Sequence, residues 1–91
     1  MTFTVIIPDE VLETLAKWKK SAPARYKKFE KIRDELMDHP RTGIGHPEPL
    51  RGGGGITYSR HITAHDRIIY DIEDEKITVT VLDVGGHYDD K

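Results

Sequence analysis

The 91-residue chain has no cysteine, a single tryptophan and no long apolar run. Without cysteine it can build neither a disulfide framework nor a thiolate zinc site. A bilayer span needs roughly 20 consecutive apolar residues, and nothing here approaches that. Met1-Thr2-Phe3-Thr4 has no basic start and no cleavable apolar stretch, so it does not read as a secretion signal. Excess positive charge is also missing. A formal net charge of -2 argues against a sequence-blind nucleic-acid coat, which is normally basic overall. What remains, 36% hydrophobic and 33% charged residues, is the composition of an ordinary globular protein leaning polar. The expectation is one cytoplasmic domain over residues 1–91, small but able to bury a core.

The charge is unevenly spread. Residues 1–60 hold 11 Lys/Arg against 8 Asp/Glu, whereas residues 61–91 hold 3 against 8. Lys17, Lys19, Lys20, Arg25, Lys27, Lys28, Lys31 and Arg33 gather the positive charge in one stretch, which suits phosphate or an acidic partner.

Hydrophobic spacing supplies the elements. Phe3, Val5 and Ile7 alternate on a first strand that Pro8 ends. Asp9 is positioned as an N-cap with Glu10 in the first turn, and Val11, Leu12, Leu15 and Trp18 follow at helical spacing to about Lys20. Ser21 is positioned to cap a second helix with Pro23 in its first turn; Tyr26, Phe29, Ile32 and Leu36 form its stripe, and His39-Pro40 stops it. Residues 41–55, with six glycines and two prolines, read as irregular. Three alternating runs then predict strands: Ile56, Tyr58, Arg60 and Ile62; Ile68, Tyr70 and Ile72; Ile77, Val79 and Val81. The order β-α-α-β-β-β predicts an α+β domain with two N-terminal helices on a largely antiparallel four-stranded sheet.

Three places carry chemistry. Glu48 lies between Pro47 and Pro49, which restrict its backbone and would hold a general base in place, although a solvated loop acid is the commoner fate of such a residue. His87-Tyr88 lies beyond the last strand and offers a proton donor near neutrality beside a phenol able to stack on a base. A stray pair at a chain end is the plain alternative. Arg67 heads the middle of the last three strands and can grip a phosphate through two donors, or merely pair with a nearby acid. Arg51 and Arg60 are further phosphate candidates. Base, acid and cation together suit cleavage of RNA by its own 2′-hydroxyl, with no metal site expected. His61 and His65 are separated by a predicted turn and have no third ligand. Gly52–Gly55 lacks the Lys-Ser/Thr of a P-loop and reads as a flexible link.

Gly43-Ile44-Gly45-His46-Pro47-Glu48-Pro49-Leu50-Arg51, Tyr58-Ser59-Arg60-His61-Ile62-Thr63, His65-Asp66-Arg67-Ile68-Ile69-Tyr70 and His87-Tyr88 together resemble, in order and spacing, the YoeB (Txe) branch of the RelE-type toxins of bacterial toxin–antitoxin modules. The resemblance implies a RelE-like fold and a ribosome-dependent endoribonuclease that cuts mRNA without a cofactor and is neutralised by a cognate antitoxin, with a homodimer left open. It places Glu48 on the general base, Arg67 on the transition-state arginine, His87 on the general acid and Tyr88 on the adjacent aromatic. His46, Arg51 and Arg60 fall on the side of substrate binding. The chain departs from the pattern at His46, where lysine is usual, at Gly85-Gly86, which replaces an Arg-Tyr and reads as a loosening before His87, and at Asp89-Asp90-Lys91 beyond Tyr88. The alternative is a non-cleaving or degenerate binding protein on the same scaffold.

Overall fold

Each amphipathic stripe finds a surface to bury against. The computed structural model describes residues 2–86 and runs β1 (Thr4–Ile6), α1 (Asp9–Ser21), α2 (Pro23–Asp38), β2 (Glu48–Pro49), β3 (Thr57–His61), β4 (Arg67–Glu73) and β5 (Thr78–Gly85). The strands form one sheet in the order β1-β5-β4-β3-β2. β1 lies parallel to β5, and every other pair is antiparallel. Val11, Leu15 and Trp18 of α1 and Phe29, Ile32 and Leu36 of α2 meet Ile68, Tyr70, Ile72, Val79 and Val81 of the sheet in a single core cluster. Phe3, Val5 and Ile7 pack against it from the first strand.

The sheet has five strands rather than the four expected. The additional one is Glu48–Pro49, a two-residue edge strand that pairs Glu48 with Ser59 and Pro49 with Tyr58. Its shortness and prolines hide it from any alternation test, and an edge is where a strand tolerates proline. Gly52–Gly55 forms the turn that joins two paired strands. The Leu50 N–H donates to the Thr57 carbonyl at 2.9 Å and closes a β2–β3 hairpin, and Gly52, Gly54 and Gly55 all have positive φ. A side chain at any of these three would meet open space, so backbone conformation alone calls for glycine.

The helix starts differ by one residue from expectation. Pro8, not Asp9, is the N-cap of α1, and its carbonyl accepts from the Val11 and Leu12 N–H groups at 3.0 Å each. Asp9 joins Glu10 in the first turn, where negative charge favours the helix dipole. Ser21 ends α1 by donating its hydroxyl to the Lys17 carbonyl at 2.8 Å, and α2 opens on Pro23.

Gly85 and Gly86 both lie against neighbouring chain. Gly85 is the buried last residue of β5, paired with Arg67 and at φ 127°. Gly86 lies so close to the His65 carbonyl that no Cβ would fit.

Candidate active site

Side-chain alternation sorts the sheet into two faces. Tyr58, Ile68, Tyr70 and Ile72 point to the helices and the core. Their neighbours Ser59, His61, Arg67 and Ile69 therefore point to the other face, and Glu48, the direct partner of Ser59, joins them. Ile69 is buried yet stands outside the helix-side cluster, as this assignment requires.

On that face Glu48 and Arg67 occupy strands separated only by β3. From strand spacing and rise their Cα atoms lie roughly 12 Å apart. Two long side chains reaching inward across that gap can bracket one phosphodiester. Neither makes an ion pair or side-chain hydrogen bond among the described residues, whereas Arg25, Arg33, Arg41 and Arg60 are paired with Asp66, Asp34, Asp74 and Glu35. Glu48 is exposed and Arg67 half-buried. A β-bulge between β4 and β5 at Ile69/Tyr70 adds local twist two residues from Arg67.

His61 was passed over in the sequence as half of a failed zinc pair. It is the direct cross-strand partner of Arg67, so an imidazole stands beside the guanidinium on the same face. Its place two residues after Ser59, on the face that alternates away from Tyr58 and Ile62, was the readable signal. Its backbone N–H donates to the Gly45 carbonyl at 2.7 Å, which brings the start of the His46-Pro47-Glu48 segment against β3. His46 itself is exposed at φ 51°, a left-handed conformation uncommon for a residue with a side chain. Arg51 is exposed in the hairpin beyond Leu50, near Thr57, and so at the end of β3 away from Arg67.

Arg60 does not fit the substrate-binding role expected of it. Its residue is 0% exposed. Nη1 donates to Glu35 Oε1 at 2.7 Å and to the Ile44 carbonyl at 3.3 Å, while Nη2 donates to the carbonyls of His39 at 2.6 Å and Thr42 at 2.9 Å. Nε donates to the Tyr70 hydroxyl at 3.0 Å, which in turn donates to the Pro40 carbonyl at 2.8 Å. Every donor group is engaged inside the protein. The alternation of Arg60 with Tyr58 and Ile62 had already placed it on the apolar face. Burial raises the Tyr70 hydroxyl above its ordinary pKa, against the pull of Arg60.

The basic stretch is partly consumed in packing. Arg25 pairs with Asp66 at 3.3 Å and lies 4.9 Å from the centre of the Trp18 ring, and Lys28 donates to the Ile62 carbonyl at 3.4 Å. Lys17, Lys19, Lys20, Lys27 and Lys31 stay exposed. His87 and Tyr88 lie outside the described residues; β5 ends beside Arg67, two positions before His87.

Two helices covering one face of a mostly antiparallel sheet, with a carboxylate and a guanidinium on the other that are unpaired among the described residues, define a small α+β protein with a polar site on the sheet face opposite its helices. A family model for the YoeB-like toxin of bacterial type II toxin-antitoxin systems matches residues 8–88. Toxin YoeB of Mycobacterium bovis is 32% identical over 80 residues, covering 88% of this chain and 87% of that protein. The YoeB/ParE toxin from Agrobacterium tumefaciens has the same fold, with a TM-score of 0.83, 23% identity, and coverage of 94% of this chain and all of that one (100%). The archaeal RelE-RelB complex from Pyrococcus horikoshii OT3 gives a TM-score of 0.76 at 26% identity, covering 94% of this chain and 96% of that one. The chain belongs to the YoeB-like toxin family.

Proposed function

We propose that the protein is a ribosome-dependent mRNA endoribonuclease that works by general acid–base chemistry and needs no metal. The observation that carries the reading is that Glu48 and Arg67, two strands apart on one sheet face, are unpaired among the described residues. Glu48 takes the proton of a 2′-hydroxyl, and that oxygen attacks the adjacent phosphorus. Arg67 stabilises the charge growing on the phosphoryl oxygens. The bond to the 5′-oxygen breaks, and His87 gives that oxygen its proton. Tyr88 is assigned to the base or phosphate beside it. The products are a 2′,3′-cyclic phosphate and a 5′-hydroxyl. His46 and Arg51 are assigned to flanking phosphates.

The partner proposed for regulation is a cognate antitoxin protein. The family description names a toxin-antitoxin system, and the Pyrococcus horikoshii relative is a RelE-RelB complex.

The test is the chemistry of the cut ends. Purified protein acting on translated mRNA should leave 5′-hydroxyl ends in the presence of EDTA. Glu48→Gln and His87→Gln should each slow cleavage by roughly 10²–10⁴-fold. Loss of activity in EDTA, or full activity in either variant, contradicts the assignment.

A further inference from the structure

Glu35 sits on α2 between Ile32 and Leu36, two fully buried residues of the apolar stripe, yet its own side chain is 31% exposed. Its Oε1 accepts two hydrogen bonds, from Arg60 Nη1 at 2.7 Å and from the Ile44 backbone N–H at 2.9 Å. Gly43 is the residue that permits this seat. A Cβ there would overlap the Glu35 carboxylate and lie 3.1 Å from Arg60 Nη1. The carboxylate thus joins three things: helix α2, the buried arginine of β3 and the connection that leads to Glu48.

The mechanical link to Glu48 runs through β3. Arg60 projects toward the helices and grips the carbonyls of His39, Thr42 and Ile44. Its two chain neighbours hold the next part of the same segment along the edge of the strand. The His61 N–H takes the Gly45 carbonyl, and Ser59 pairs with Glu48. Three consecutive residues of β3 therefore fix residues 39–48 along their length. β2 is only two residues long and lies at the sheet edge, so it has little pairing of its own to set its place.

We infer that Glu35 is a positioning residue for Glu48, acting through Arg60 and the residue 39–45 connection. The inference rests on the proposed role of Glu48 as general base. A base displaced by about 1 Å can lose on the order of a hundredfold in rate without any loss of binding. Removing the Glu35 carboxylate should release the Ile44 N–H and one side of the Arg60 guanidinium. The helix should persist, since alanine is the best helix former.

The experiment compares full-length wild type, Glu35→Ala and Glu35→Gln on translated mRNA, with amide exchange followed in the same proteins. Glu35→Ala should lower the cleavage rate at saturating ribosomes by about tenfold or more, with the half-saturating ribosome concentration unchanged. Glu35→Gln, which keeps an oxygen acceptor, should recover most of that loss. Exchange at Ile44, Leu50 and His61 should quicken in Glu35→Ala while Ile68 and Ile72 in β4 stay protected. A full cleavage rate in Glu35→Ala overturns the inference, as does exchange that quickens equally across β4, which would mean general destabilisation. If wild type itself cuts nothing, the nuclease reading fails, and the exchange pattern alone then decides whether Glu35 sets the Glu48 segment.

Discussion

Arginines with opposite fates define the protein at the scale of single residues. Arg60 gives its donors to one carboxylate, one phenol and three backbone carbonyls, while Arg67 keeps its donors unpaired among the described residues. Arg67→Ala should therefore cut the cleavage rate by roughly 10²–10³-fold, as the loss of a group that stabilises developing charge, with the melting temperature little changed. Arg67→Lys should restore only part of the rate, because a point charge lacks the two-pronged donor geometry. The buried phenol next to Arg60 gives a pH signature. Burial favours the neutral Tyr70 hydroxyl and raises its pKa above the ordinary 10.0 in the folded state. Its contribution to stability is thus complete below about pH 10 and is lost as pH rises through the folded-state value. Tyr70→Phe should lower stability by about 1–3 kcal/mol near neutrality, since Arg60 Nε and the Pro40 carbonyl both lose a partner. It should also flatten the alkaline fall in melting temperature. An unchanged alkaline slope would remove Tyr70 from that account.

Among the elements, those with a repeating pattern were legible in the sequence and those defined by one contact were not. Val11, Leu15 and Trp18, then Phe29, Ile32 and Leu36, are buried as their helical spacing requires. The three later runs became β3, β4 and β5. β2 escaped because two residues cannot show a period, and the two prolines around Glu48 read as loop. The role of Arg60 escaped because charge was weighed above alternation, although its neighbours Tyr58 and Ile62 gave the correct face. Glu35 gave no signal beyond its place on the helix stripe, since its partners lie 9 and 25 residues away. Glu48 and Arg67 were legible as residues, but their common face depends on the β2–β3 register. That register is set at the hairpin, where Gly54 has φ 64° and an added side chain would touch nothing. Gly54→Asn should be nearly neutral, because asparagine tolerates the left-handed region. Gly54→Val should destabilise by about 1–2 kcal/mol. Equal melting temperatures for the two variants would show that the hairpin relaxes.

At the scale of the whole molecule, a net charge of -2 provides little long-range attraction for free RNA, and the exposed lysines between Lys17 and Lys31 lie on the helices rather than on the face that carries Glu48 and Arg67. Alignment of the substrate therefore falls to the ribosome in the proposed function, and the site needs only to supply a base, a cation and an acid once the message is in place. The most direct measurement is primer extension on one mRNA, translated in a reconstituted extract or naked at the same concentration, with wild type and Glu48→Gln. New 5′ ends should appear within the reading frame only when wild type meets translated message. Equal cutting of naked RNA would contradict ribosome dependence, and undiminished cutting by Glu48→Gln would contradict the site.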